Sequence, residues 1–243
     1  MRDLKTPIQS KLLASVPGLI HGFTSKEMPK PSREALDRRV ASARQVHKAE
    51  LLWVSKLEKG EHEADAVATF TPGLPVGVYS ADCVPTLVAA QDVSTNLIYS
   101  ALAIHGGWRS PALGIAGHAL RELIRAGAKT HRSRTSRYLA AIGPCIGFES
   151  FEVHEDVLKA FPGIESRGLA RFLHTDEDGR AKYLIDLPGE NLRQLRQAAA
   201  DEGVELEVDT LGLCTVKETQ HFPSHRRRDR EPMGGILSFL AFE

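Results

Sequence analysis

The sequence predicts an α+β fold, a layered mixed-sheet protein forming a single domain over residues 1–243. Three observations point there. Stretches nearly free of charge, readable as buried strands, are interspersed with stretches of helical period. Strands and helices do not follow strict βαβ alternation, which argues against a doubly wound parallel sheet. The chain has 243 residues, 42% hydrophobic and 26% charged, a globular balance with enough length for one large core.

Each element has a local reason. Residues 25–44 are polar and carry Pro29 and Pro31, which reads as a surface loop leading to a short helix. Residues 51–55 read as a strand. Residues 74–90 hold one charge, Asp82, and are interrupted by Pro85, which predicts two buried strands joined by a sharp bend at Ala81-Asp82-Cys83. Residues 96–105 form a third apolar run that ends in Gly106-Gly107-Trp108-Arg109. A helix is expected next, capped by Ser110 with Pro111 in its first turn. Its apolar face is Leu113, Ala116, Leu120, Leu123 and Ile124. Residues 138–142 predict a strand stopped by Gly143-Pro144, 153–161 a helix, and 183–186 a short strand. Asp186 can cap a helix that ends near Gly203, and strands at 204–211 and 236–242 close the chain.

The 31 basic and 31 acidic residues cancel, which removes the usual electrostatic footprint of a nucleic-acid or polybasic membrane binder. The first sixteen residues hold no apolar run of signal-peptide or membrane-spanning length, so a cytoplasmic location is expected. Cys83, Cys145 and Cys214 are odd in number and widely spaced, which predicts reduced thiols and no disulfide framework.

Three of the chemistry-bearing residues stand where a cleft can form. Cys83 follows the bend beside Asp82, His105 ends a buried strand, and His47 closes Gln45-Val46-His47 just before the strand at Leu51. Two imidazoles and a thiolate suit zinc and leave a fourth position for water. The separations, from 47 to 83 and from 83 to 105, are too long to be a metal-ligand signature by themselves. Two other readings therefore stay open: Cys83 as a small buried hydrophobe with His105 a hydrogen-bonded strand-end residue, and Cys83 as a nucleophile with His105 its base. Gly106-Gly107 fits an anion-facing turn or a plain tight turn. His225-Arg226-Arg227 fits phosphate binding or a solvated loop, and His221 fits a ligand or a surface residue. Cys145, inside Gly143-Pro144-Cys145-Ile146-Gly147, reads as structural.

Several motifs together resemble a known family. They are His21-Gly22-Phe23-Thr24, Gln45-Val46-His47, Ala64-Asp65-Ala66, Ser80-Ala81-Asp82-Cys83-Val84-Pro85, Ile104-His105-Gly106-Gly107-Trp108-Arg109, Leu213-Cys214-Thr215 and Ser224-His225-Arg226-Arg227, with the Cys145 turn and Phe151-Glu152-Val153 between them. In this order they resemble the laccase-domain family, known both as polyphenol oxidases and as zinc-dependent purine nucleoside phosphorylases. The resemblance implies an α/β/β/α arrangement and zinc held by His47, Cys83 and His105. It also implies phosphorolysis of adenosine, inosine, guanosine and methylthioadenosine, and deamination of adenosine. The partners are then a nucleoside and phosphate, with no nucleic acid and no membrane. Cys83, His105 and Asp82 are the expected catalytic residues, Asp82 as proton shuttle, and Arg226 and Arg227 the expected phosphate ligands. Residues 25–29, Gly106 and 228–232 depart from the family's usual pattern, so the preferred nucleoside is left open.

Three rivals are distinguishable. A multicopper oxidase needs coupled copper sites rich in His-x-His pairs, and the ten histidines here form none. A cysteine hydrolase would use Cys83 and His105 without metal. A non-enzymatic binding protein would keep the fold and lose the chemistry.

Overall fold

The computed structural model describes residues 6–131, 136–228 and 235–243, with His131 described by its backbone alone. In chain order the elements are α1 (Lys11–Ala14), β1 (Leu19–Phe23), α2 (Lys30–Asp37), β2 (Ser42–Arg44), β3 (Leu51–Trp53), β4 (Lys59–Glu63), β5 (Ala66–Thr69), β6 (Val76–Ser80), β7 (Val84–Asp92) and β8 (Ile98–Gly106). There follow α3 (Arg109–Ala112), α4 (Ile115–His131), β9 (Ser136–Ile142), a 3-10 turn (Phe148–Ser150), β10 (Glu152–His154), α5 (Glu155–Lys159), β11 (Ala170–Thr175), β12 (Ala181–Ile185), α6 (Leu187–Asp201), β13 (Glu205–Thr210) and β14 (Ile236–Phe242).

A six-stranded mixed sheet, in the order β13-β9-β7-β8-β5-β3, is the centre. Its side chains divide by the two-residue period of a strand. Val88, Ala90, Leu102 and Ile104 face α4 and α6, joining Ile115, Leu120, Leu123 and Leu195 in one core. Leu87, Ala89, Ala101 and Ala103 face the opposite way, into a second core shared with Phe23, Val76, Val78, Ile236 and Leu240. Those partners belong to the three-stranded antiparallel sheet β1-β14-β6. Because β7 and β8 are covered on both faces, every residue of β8 and all but the last of β7 are buried. That is why the sequence reads there as unbroken apolar runs rather than alternation. Behind the smaller sheet, Leu36 of α2 packs on Val40, Leu237 and Phe239, giving a thin fourth layer. The expected α+β, α/β/β/α layering is observed.

The strand-end bend is also as expected: β6 stops at Ser80, β7 starts at Val84, and Asp82 sits in the left-handed region at φ 86°. Asp186 caps α6, its Oδ1 accepting from the Gly189 amide at 2.9 Å. Two elements differ from expectation. The helix expected from Ser110 is broken into α3 and α4, because Gly114 between them adopts φ 81°. The segment at 153–161 begins as strand β10, which pairs with β12, and only then becomes α5. Strands β1, β2, β4, β5 and β11 are not distinguished by the sequence patterning; β2 closes the segment read as a loop and short helix, β5 is four residues long and β11 is almost wholly exposed. No described helix is long and apolar enough to cross a membrane.

One buried polar residue far from the strand-end bend carries an acid-sensitive element of stability. His21 of β1 is 2% exposed, and its Nε2 accepts from the Ser10 amide at 3.0 Å. Burial pushes its pKa down to about 4, outweighing the Asp209 charge, which pushes it up. The unfolded chain takes up this proton near pH 6.5 and the folded protein only near pH 4, so the stabilisation is complete above 6.5 and is lost as pH falls between the two. At 1.36 kcal/mol per pKa unit the loss approaches about 3 kcal/mol. We predict that the difference in unfolding free energy between wild type and His21→Gln shrinks by up to that amount from pH 7 to pH 4. A difference that stays constant with pH would remove His21 from the acid response.

Candidate metal centre

The central sheet's register delivers the site. Pro85 pairs with His105 and Val84 with Gly106, so Cys83 leaves β7 beside the end of β8. Ala66 pairs with Ile104, which sets Asp65 beside His105. Leu51 pairs in parallel with Ala66, which returns the loop carrying His47 to the same edge. The ligand atoms of His47, Cys83 and His105 lie within 4.8 Å of one another. The two imidazole rings stand 4.9 Å apart and tilted by 59°. His47 is exposed, Cys83 intermediate and His105 buried, so the group opens toward solvent on one side.

Asp65, fully buried, organises this group. Its Oδ1 accepts from His105 Nδ1 at 2.8 Å. Its Oδ2 accepts from the amides of Val46 and Lys48, on either side of His47, at 3.2 and 2.7 Å. Its backbone carbonyl accepts from the His105 amide at 2.7 Å. Burial raises the Asp65 pKa, but the His105 and Lys48 hydrogen bonds overcome it and hold the carboxyl below its usual range, ionised. With Nδ1 committed to Asp65, His105 has Nε2 left for a cation, the arrangement that fixes tautomer and ring orientation in metal-binding histidines.

Electrostatics favours a cation here. Burial lowers the His105 pKa, but hydrogen bonds to Asp65 and Cys83 reverse the effect and push it up to about 9. His47 is lowered by burial, then by its positive neighbours His105 and Arg109. The two imidazoles thus share one positive charge between them, and with Cys83 they make a donor set that zinc accepts. Space is reserved as well: a Cβ on Gly107 would stand 2.4 Å from His47 Nδ1 and 3.2 Å from Cys83 Sγ. On Gly106 it would stand 2.6 Å from Asn191 Oδ1. The glycine pair is thus explained by close approach of neighbouring side chains. Among the described residues this is the one group of His, Cys, Asp or Glu side chains able to hold a metal ion.

The group lies in a cleft of about 700 Å³, lined also by Trp108, Arg109, Phe151, Glu152, His154, Asp156 and Arg226. The Arg109 guanidinium stacks 4.4 Å over Trp108, and that of Arg226 lies 5.6 Å over Phe151 while donating to the Glu152 carbonyl at 2.7 Å. The structure therefore brings Arg226 to the cleft. It does not bring Arg227, which is absent from the lining: its guanidinium donates to the carbonyls of Thr215, Val216 and Phe222, tying down its own loop. Asp82 lines the cleft but has both oxygens engaged, accepting from Thr215 Oγ1 at 2.6 Å, Ser224 Oγ at 3.0 Å and the Arg226 amide at 2.7 Å. These contacts fasten the loop that carries Arg226 to the bend that carries Cys83.

The remaining candidates fall elsewhere. His221 Nδ1 pairs with Glu27 at 2.7 Å, outside the cleft. Cys145 is buried, and its burial pushes the thiol's pKa well up. Burial raises Cys214 too, but hydrogen bonds from Ser150 and the backbone pull it below its usual value. Both are free thiols outside the metal-binding group. The departure at 228–232 lies outside the described residues after Arg228. The motif Ala64-Asp65-Ala66 does not by itself show the role of Asp65; its signal is an acid isolated between alanines at the head of an apolar strand.

Comparison with known proteins identifies the family. Residues 30–243 match the family described as multi-copper polyphenol oxidoreductase laccase. A Shigella flexneri protein named purine nucleoside phosphorylase YfiH is 31% identical over 196 residues, covering 81% of this chain and 71% of its own length. An Escherichia coli K12 protein of the same name gives the same identity and coverage. The crystal structure of a Bacillus licheniformis hypothetical protein, YfiH, superposes with a TM-score of 0.71 at 23% identity, over 93% of each chain. The match over residues 30–243, together with relatives at 31% identity, shows that the chain belongs to the laccase-domain family, alongside these YfiH proteins.

Proposed function

We propose that the protein is a zinc-dependent purine nucleoside phosphorylase with its chemistry in the His47–Cys83–His105 cleft. The carrying observation is that group of donors, oriented by one buried carboxylate and facing a cavity of about 700 Å³, a size suited to a nucleoside. The names of the relatives support the same reading. Zinc, when bound, supplies a Lewis acid and lowers the pKa of a coordinated water to about 7.

The residues of the chain bind and orient. Trp108 and Phe151 give the cleft two aromatic surfaces against which a purine can stack. Arg226 offers charged donors to phosphate. A phosphate oxygen bonds to the anomeric carbon as the carbon–nitrogen bond to the purine breaks. The bonding pair leaves with the base nitrogen, which takes up a proton, giving ribose 1-phosphate and free base. Asp65 keeps His105 fixed while charge shifts; Asp82, which accepts three hydrogen bonds, holds the Arg226 loop, and the proton-shuttle role expected of it belongs to the same proposal. Methylthioadenosine phosphorolysis and adenosine deamination, in which water replaces the ring amine, belong to the same proposal and are separable by product analysis.

One observation favours a second reading. Cys83, His105 and Asp65 form a thiol–imidazole–carboxylate chain, as a cysteine hydrolase requires. His47 has no place in that mechanism, whereas it completes a metal site.

Three outcomes test the proposal. Protein purified without chelator should carry about one zinc per chain, and Cys83→Ala should lose zinc and phosphorolysis together, the rate falling by orders of magnitude, while its circular dichroism stays native. Metal-free wild type releasing base from inosine at full rate would instead favour the thiol mechanism. Arg226→Ala should raise the KM for phosphate and retain zinc; an unchanged KM would take Arg226 out of the phosphate site. Asp65→Asn can still accept from the two loop amides but turns an N–H2 toward His105 Nδ1, selecting the tautomer protonated at Nε2; its zinc affinity, measured by chelator competition, should fall about 10–100-fold. Equal affinity would show that the carboxylate does not orient the ligands.

A further inference from the structure

A second cavity, of about 400 Å³, lies between the α3–α4 junction, α6 and the chain around residues 160–167, and shares no lining residue with the metal cleft. Three arginines line it, Arg121, Arg167 and Arg193, against one acid, Glu190. The Glu190 carboxylate is 3% exposed and receives Arg193 through two bonds of 2.9 and 2.7 Å, with Arg167 at 3.5 Å. Its negative charge is thereby spent on positioning two guanidiniums, each of which keeps N–H groups beyond those contacts. Arg121 is held from outside the cavity by Asp201, at 2.7 Å.

The backbone adds donors to the same place. Gly114 breaks the helix, and the first bond of α4 runs from the His118 amide to the Gly114 carbonyl at 2.9 Å. The amides of Ile115, Ala116 and Gly117 are therefore the first-turn groups that a helix leaves without an internal acceptor. Gly114 offers no side chain to cap them, and Gly114 and Gly117 both belong to the cavity wall. A 17-residue helix directs the positive end of its dipole there. Independently, Gln194 in the wall is 7% exposed, and its amide orientation is fixed because Nε2 donates to the Pro111 carbonyl at 2.7 Å and to Glu190 at 3.0 Å. Its Oε1 is left without a hydrogen-bond partner.

We propose that this cavity is a second ligand site, for a phosphoryl dianion carried by a small molecule. Three guanidiniums and an uncapped helix terminus supply complementary donors and an excess of positive charge. Gln194, fixed by its bonds to Pro111 and Glu190, shapes the wall, and the volume admits a molecule the size of a pentose phosphate. The site stands on its own geometry and does not depend on the activity proposed for the metal cleft.

The test is calorimetric titration with ribose 5-phosphate, inorganic phosphate and ribose, run on the full wild-type chain and on full-length Arg226→Ala, so that phosphate held in the metal cleft is counted apart from this site. Arg121→Gln/Arg167→Gln should weaken ribose 5-phosphate binding at least tenfold with an unchanged melting profile, while Arg226→Ala should bind at this site like wild type. If the double variant fails to fold, Arg121→Gln alone carries the test, since its partner Asp201 is well exposed. Inorganic phosphate binding as tightly as ribose 5-phosphate identifies the free ion as the ligand, and weaker binding identifies the sugar phosphate. Ribose alone should not bind. Absence of binding to wild type, equal binding by the double variant, or loss only in Arg226→Ala would each overturn the proposal.

Discussion

The site depends on one buried carboxylate. Asp65 joins three pieces of chain that are distant in sequence: the strand β5 it precedes, the end of β8 through His105, and the loop around His47 through two amides. Burying a carboxylate costs several kcal/mol unless its oxygens are satisfied. Here three donors satisfy them, and the group remains ionised. The resulting negative charge beneath His105 is what makes the whole cluster cation-seeking rather than merely polar. An amide in its place could still accept from the two loop amides but would present a donor to His105 Nδ1, which fixes the wrong tautomer for a metal ligand.

Around that anchor the backbone is strained where the ligands are presented. His47 adopts φ 58° and Asp82 φ 86°, a region that costs a residue with a Cβ on the order of 1–2 kcal/mol. Both positions are held by carboxylates: Asp65 grips the amides flanking His47, and the side chain of Asp82 grips the 215–226 loop. Gly107 supplies the remaining requirement, an absent side chain where two ligand atoms approach. The ligands are thus held by the chain's own hydrogen bonds and close packing, which lowers the ordering cost that metal binding has to meet.

Much of this was legible in the sequence because it follows from local rules. The uncharged runs of β7 and β8, the bend at Asp82 and the cap at Asp186 each carry a mechanism that acts over a few residues. His47, Cys83 and His105 were placed at strand ends by the same reasoning, and motif resemblance made them a set. What stayed hidden was non-local. Gly114 looked like one more helix position because its positive φ is set by how α3 and α4 pack. Arg227 and Arg226 are adjacent in sequence, yet one faces the cleft and the other ties down its loop, a choice made by carbonyls at Thr215, Val216 and Phe222. Asp65 could be seen as an isolated acid, but its role required knowing that β5 pairs with β8.

The family's description speaks of several coppers and of polyphenol oxidation. The donor arithmetic of this chain points another way. Coupling phenol oxidation to dioxygen reduction moves several electrons and calls for a cluster of redox metals, each with its own imidazole ligands. The described residues assemble one group, with two imidazoles and a thiol, and histidines such as His21 and His221 are committed to Ser10 and Glu27. One nitrogen–sulfur centre beside a cleft suits polarisation of a bond and handling of a proton, which needs no change of oxidation state. The arginine that bonds the Glu152 carbonyl at the mouth of that cleft then makes sense as well, since a phosphate nucleophile has a use for a guanidinium and a phenol does not.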